Sequence, residues 1–204
     1  MTRSFKHWNM QYLWSRLKDK IRIKIHPQDP WLTPDAVKLL DDALSIEMCG
    51  LEFGSGNSTV WFARRLGKLT SVEHSLDWFT NVIRQLANGG LENIDYILRE
   101  DPGEYVSASL KFTDGSLDFV LVDGIERGKC ALTSLPKVKQ GGILVIDDSH
   151  RYLPGKSRAP LARKPDDGPA DEDWTQFMAE TMDWEFVWTT NGVKDTVIYY
   201  KPMD

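Results

Sequence analysis

The sequence predicts an α/β fold: a doubly wound, mostly parallel sheet of seven strands, closed by an antiparallel C-terminal hairpin and preceded by a helical extension. Three observations predict it. From residue 48 onward, short apolar runs alternate with stretches of helical periodicity. Several of those runs stop at glycine or an acid, as strands do where a sheet presents its carboxyl ends to a ligand. Near the C-terminus, Asn191-Gly192 separates two apolar runs, which is a hairpin signal. Strands alternating with helices imply right-handed crossovers and a parallel sheet covered on both faces.

The elements follow in order. Met10, Leu13, Trp14, Leu17 and Ile21 recur at helical spacing, so residues 8–22 read as an amphipathic helix. A bend follows at His26-Pro27-Gln28-Asp29-Pro30. Thr33-Pro34 then reads as a cap with proline at the first helical position, opening a helix to about residue 46. Strands are expected at 48–53, 69–73, 94–98, 117–122 and 142–146, with helices at 58–66, 77–88 and 129–138. Residues 149–170 contain Pro154, Pro160, Pro165 and Pro169 and read as one long loop. A helix around 173–182 precedes the hairpin strands at 184–189 and 196–200. Two units result: a basic extension at 1–30 and an α/β domain at 31–204.

The totals narrow the class. The 204 residues suit one domain with an appendage, and 41% hydrophobic with 27% charged residues is ordinary for a globular chain. Eight Trp is a rich supply that a pocket can draw on. Two cysteines, Cys49 and Cys130, make a disulfide framework unlikely and fit a reducing cytoplasm. No apolar run is long enough to span a bilayer, and charges interrupt any secretory signal near the start. Residues 1–26 hold seven basic side chains (Arg3, Lys6, Arg16, Lys18, Lys20, Arg22, Lys24) against Asp19. That local charge of +6, in a chain of net charge −5, leaves −11 on the remainder. So acidic a body argues against a nucleic-acid partner, whose phosphates need a basic footprint.

The chemistry sits at the strand ends. Glu52-Phe53-Gly54-Ser55-Gly56-Asn57-Ser58 forms a strand-to-helix turn whose glycines permit a sharp bend and close ligand approach. Glu73 closes the next strand, 21 residues after Glu52, where a carboxylate can accept both hydroxyls of a ribose. A dinucleotide would set its pyrophosphate over this turn, and a carboxylate two residues before Gly54 would repel it. The same carboxylate attracts an ammonium or sulfonium cation, and no Gly-Lys-Ser/Thr is present. The charge logic therefore favours S-adenosylmethionine over NAD or ATP.

Glu52-x-Gly54-x-Gly56 followed by Glu73 resembles motif I and the ribose-binding acid of class I S-adenosylmethionine-dependent methyltransferases, over residues 48–201. The terminal hairpin resembles their last two strands. The resemblance implies that Gly54, Ser55, Gly56, Asn57 and Ser58 hold the methionine portion and Glu73 the ribose. It also implies His74 and Ser75 beside the ribose and adenine, and Glu100 at the adenine edge. Ser58 stands where many members carry a third glycine, but a serine opening a helix is a good cap.

On the reacting side, Asp123 ends the fourth strand and Asp147-Asp148 the fifth. Two readings compete. In one, Asp123, Asp147 and Asp148 hold Mg²⁺, resembling metal-dependent O-methyltransferases. In the other no metal binds: Asp123, Asp148 or His150 takes a proton and Arg127 anchors the substrate. The chain lacks an Asn-Pro-Pro-Tyr motif of the kind that resembles amide or adenine N-methyltransferases, which tilts the acceptor toward a hydroxyl of a small molecule or sugar. The rivals are an NAD-dependent oxidoreductase and a non-catalytic cofactor-binding module. The basic helix suits a lid, a homodimer arm or a peripheral contact with anionic membrane.

Overall fold

The computed structural model describes residues 9–203. The expected start of the first helix at residue 8, together with Arg3 and Lys6, lies outside the described residues. The strands are β1 (Cys49–Phe53), β2 (Lys68–Glu73), β3 (Ile94–Leu98), β4 (Leu117–Val122), β5 (Val138–Asp147), β6 (Glu185–Thr190) and β7 (Asp195–Tyr200). They form one sheet in the order β3-β2-β1-β4-β5-β7-β6. The first five run parallel, and β7 inserts antiparallel between β5 and β6. The doubly wound sheet with a terminal hairpin is as the sequence predicts.

The helices are α1 (Met10–Ile25), α2 (Pro34–Ala43), α3 (Asn57–Ala63), α4 (Leu76–Gly89), α5 (Pro102–Ser107), α6 (Arg127–Ser134) and α7 (Glu172–Glu180). Because neighbouring side chains on a strand point to opposite faces, β4 supplies Val120 and Val122 to one core and Phe119 and Leu121 to the other. Tyr105 of α5, Cys130 of α6 and Trp174 of α7 fill the first core. Leu40 of α2 with Trp61 and Phe62 of α3 fill the second. Both faces of the central strands are dry, which is why those strands read as unbroken apolar runs.

Three elements differ from expectation. The helix expected over 129–138 stops at Ser134, because Pro136 cannot continue it, and Val138 already pairs with Leu117 in the sheet. Gly141, at φ +71, then bends the lengthened β5 and donates its amide to the Lys201 carbonyl. α5 stands where the sequence predicts no element, although its signature is present: Asp101 accepts from the Glu104 amide at 2.9 Å, with Pro102 in the first turn. The long 149–170 segment is tied down, with Leu153 and Ala159 buried and the Arg163 amide donating to the His150 carbonyl at 2.9 Å.

The strand order reverses between β1 and β4, and the registers bring the site together there. Phe53 pairs with Val72 on one side and Val122 on the other, so Gly54, Glu73 and Asp123 leave the sheet side by side.

Candidate active site

At that switch point the chain must turn while three strands end within a few ångströms. Gly54 takes φ +90, and a Cβ on it would lie 2.7 Å from the Gly124 nitrogen and 2.8 Å from the Asp123 carbonyl carbon. Only glycine fits. Gly124 is its counterpart: a Cβ there would strike the Tyr105 hydroxyl and lie 3.1 Å from the Gly54 nitrogen. Gly56 is different, since its backbone is extended and the nearest atoms to an added Cβ are at 3.7 Å on Trp78.

The turn encloses a cavity of about 440 Å³, within the range of small-molecule sites. Its lining includes Gly54, Ser55, Gly56, Asn57, Ser58, Glu73, His74 and Ser75, so the structure brings eight of the ten expected cofactor residues together. Glu73 is buried and fixed by four donors. Its Oε2 accepts from the Ser55 amide at 2.9 Å and the Ser55 hydroxyl at 2.7 Å. Its Oε1 accepts from the amides of His74 and Ser75, each at 2.9 Å. Ser55 Oγ also lies 2.6 Å from the Tyr96 hydroxyl.

Glu52 and Glu100 do not line the cavity. Glu52 lies beneath the turn, wholly buried, with Oε2 accepting from the hydroxyls of Thr59 and Ser71, both at 2.6 Å. Thr59 Oγ1 in turn accepts from the Gly56 amide at 3.0 Å, so the carboxyl supports the turn through one hydroxyl. Burial is the main reason its pKa is pushed up to about 7, and the bonds from Ser58, Ser71 and Thr59 pull the other way. Its Oε1 is buried without a hydrogen-bond partner. The full negative charge expected just ahead of the glycines is thus opposed by burial, which makes this carboxyl hold its proton more readily than an exposed one. Glu100 is exposed, one residue before the cap of α5.

The reacting side also differs from expectation. Asp123 lines the cavity and pairs with Arg127 at 2.8 Å, while burial and the nearby Asp147 carboxylate push its pKa up against that partner's pull. Arg127, expected to anchor substrate, spends its fork on main chain: it donates to the carbonyls of Gly124 at 2.9 Å, Asp147 at 2.6 Å and Asp123 at 2.8 Å. It clamps the ends of β4 and β5 instead. Asp147 is buried, accepting from Thr196 Oγ1 at 2.7 Å and from Lys194 Nζ at 3.3 Å. Asp148 sits at φ +51 with Arg151 3.8 Å away. His150, expected as a base, is buried; its Nδ1 accepts from the Asp195 amide at 3.2 Å, and burial lowers its pKa.

The three carboxylates therefore do not fit Mg²⁺: each is engaged elsewhere, and among the described residues no three acidic, His or Cys side chains are grouped to hold a metal ion. Sequence reasoning missed the aromatic side of the site. Trp31 and Trp78 line the cavity with ring centroids 6.5 Å apart, and Trp78 Nε1 donates to the Ser55 carbonyl. The signal available was the abundance of Trp and the position of Trp31 just after the Pro-rich bend.

Comparison with known proteins fits this geometry. Residues 51–149 match the family described as "Methyltransferase domain". Among solved structures, the O-methyltransferase TomG from Streptomyces achromogenes, in complex with SAM, is similar at TM-score 0.60 and 14% identity, covering 95% of this chain and 90% of that one. A SAM-dependent methyltransferase from Aquifex aeolicus gives 0.54 and 14%, covering 94% and 98%. An rRNA methylase from Streptococcus thermophilus gives 0.52 and 12%, covering 82% and 93%. No curated protein sequence matches the chain. With the methyltransferase-domain match over residues 51–149 and the same sheet order around it, the chain has the class I methyltransferase fold.

Proposed function

We propose that the protein transfers the methyl group of S-adenosylmethionine to a hydroxyl of a small molecule or sugar, in a reducing cytoplasmic setting. The observation that carries the cofactor reading is the cavity folded around Gly54–Ser58 with the fixed Glu73 carboxylate in its wall. Main-chain groups of the turn suit the amino-acid end, and Glu73 suits ribose hydroxyls. For those hydroxyls to reach Oε2, the Ser55 hydroxyl swings to Tyr96, already 2.6 Å away. The paired rings of Trp31 and Trp78 offer planar surface at the same cavity. The sulfonium supplies the electrophilic methyl, so the chain's task is to hold the acceptor oxygen in line and take up its proton.

Of the expected bases, Asp123 is the one that lines the cavity, and a carboxylate with a raised pKa is the better proton acceptor. Arg127 then acts on Asp123 by positioning it. The similar TomG is an O-methyltransferase, which agrees with an oxygen acceptor. The similar rRNA methylase raises nucleic acid as the other acceptor class. The charge of −11 outside the first 26 residues weighs against it. Incubation with methyl-labelled cofactor and two acceptor panels, hydroxylated small molecules and structured RNA, separates them. Label on a hydroxyl is expected; label in RNA alone would replace the acceptor assignment.

A further inference from the structure

We infer that α1 lies flat on an anionic phospholipid bilayer and seats the protein on that surface. The helix is turned inside out relative to an ordinary surface helix. Its side toward the body buries Tyr12 and half-buries Ile23, and its remaining contacts there are polar: Asp19 accepts from Asn191 Nδ2 at 2.9 Å, Arg22 Nη2 donates to the Leu32 carbonyl at 2.7 Å, and Ser15 packs on Gly192 at the hairpin turn. Its outward side is apolar. Met10, Leu13, Trp14, Leu17, Ile21 and Ile25 are 42–82% exposed and fall on one helical arc. Lys20 and Lys18 flank that arc and Lys24 lies within it, all exposed. The one acid of the helix is the residue turned inward.

An apolar stripe edged with lysines, on a helix too short and charged to cross a membrane, matches an interfacial helix whose stems reach up to headgroups. Charge decides between occupants. Pairing two copies through this stripe would set one basic segment against another, whereas an anionic bilayer complements it. The acidic body is repelled from the same surface, so the helix alone makes the contact. The chain then runs directly from α1 through the Pro27 carbonyl, which accepts from Asn57, to Trp31 at the cavity. The inference is independent of the methyl acceptor.

The test is co-sedimentation of the full chain with vesicles of phosphatidylcholine alone and with added phosphatidylserine. Binding to the anionic vesicles, weakened by salt, with a blue shift of Trp fluorescence, is expected. The triple variant Lys18→Gln, Lys20→Gln, Lys24→Gln should bind about a hundredfold more weakly, at roughly fivefold per lysine. The variant Leu13→Gln, Leu17→Gln, Ile21→Gln should lose binding altogether. These side chains are exposed, so both variants should retain the parent melting temperature. An intact chain that ignores anionic vesicles would overturn the inference. So would a dimer in light scattering that the apolar-stripe variant dissolves, or vesicle binding unchanged in both variants.

Discussion

Residues of the glycine turn carry different burdens, and substitution reads each separately. At Gly54 an added methyl meets Gly124 and Asp123 backbone, and φ +90 is strained for any L residue. Gly54→Ala should cost about 1–3 kcal/mol from the backbone alone, more with the clash, and should weaken cofactor binding beyond detection. Gly56→Ala, with room for a Cβ, should fold with little loss; chemical denaturation of the two variants checks the contrast. Glu52 gives a pH signature. Its folded pKa of about 7 lies above the ordinary 4.5, so the folded state binds the extra proton between those values. Its contribution is complete below about pH 4.5 and is lost as the pH rises through 7, a change of about 3 kcal/mol. Glu52→Gln should flatten that part of the stability profile; a variant that keeps the decline would move its origin to another group.

At the scale of elements, the ends of β4 and β5 are joined by the Arg127 fork. Arg127→Lys cannot reach three carbonyls and Asp123 at once, and each buried acceptor left bare costs about 1–3 kcal/mol. A clear fall in melting temperature is therefore expected. An unchanged melting temperature with a raised KM would restore Arg127 as a substrate anchor. This contrast also marks what the sequence could convey. Gly54, Glu73 and Asp123 were legible because a doubly wound sheet must bring its strand ends together, and each of these residues terminates an apolar run. The partners of Asp147 and His150 were not, because they come from Lys194, Asp195 and Thr196, and position along one strand says nothing of them. Pro136 was a local signal that the helical periodicity before it masked, and Asp101-Pro102 caps a helix of six residues, too short for periodicity to show.

For the whole molecule, charge and topology act together. The sheet places a cavity at the switch point of a body that carries −11, and the basic N-terminal segment carries the opposite sign. Because Asp123, Asp147 and Asp148 are each engaged by side chains of this chain, millimolar Mg²⁺ or EDTA should leave the melting temperature unchanged. A metal-dependent rise would mean the carboxylates rearrange into a cation site. The cofactor assignment is tested most directly by titration calorimetry with S-adenosylhomocysteine and with NAD. The intact protein should bind S-adenosylhomocysteine and ignore NAD, and Glu73→Gln should weaken that binding about 10–100-fold. Tight binding of NAD with no response to S-adenosylhomocysteine would contradict it.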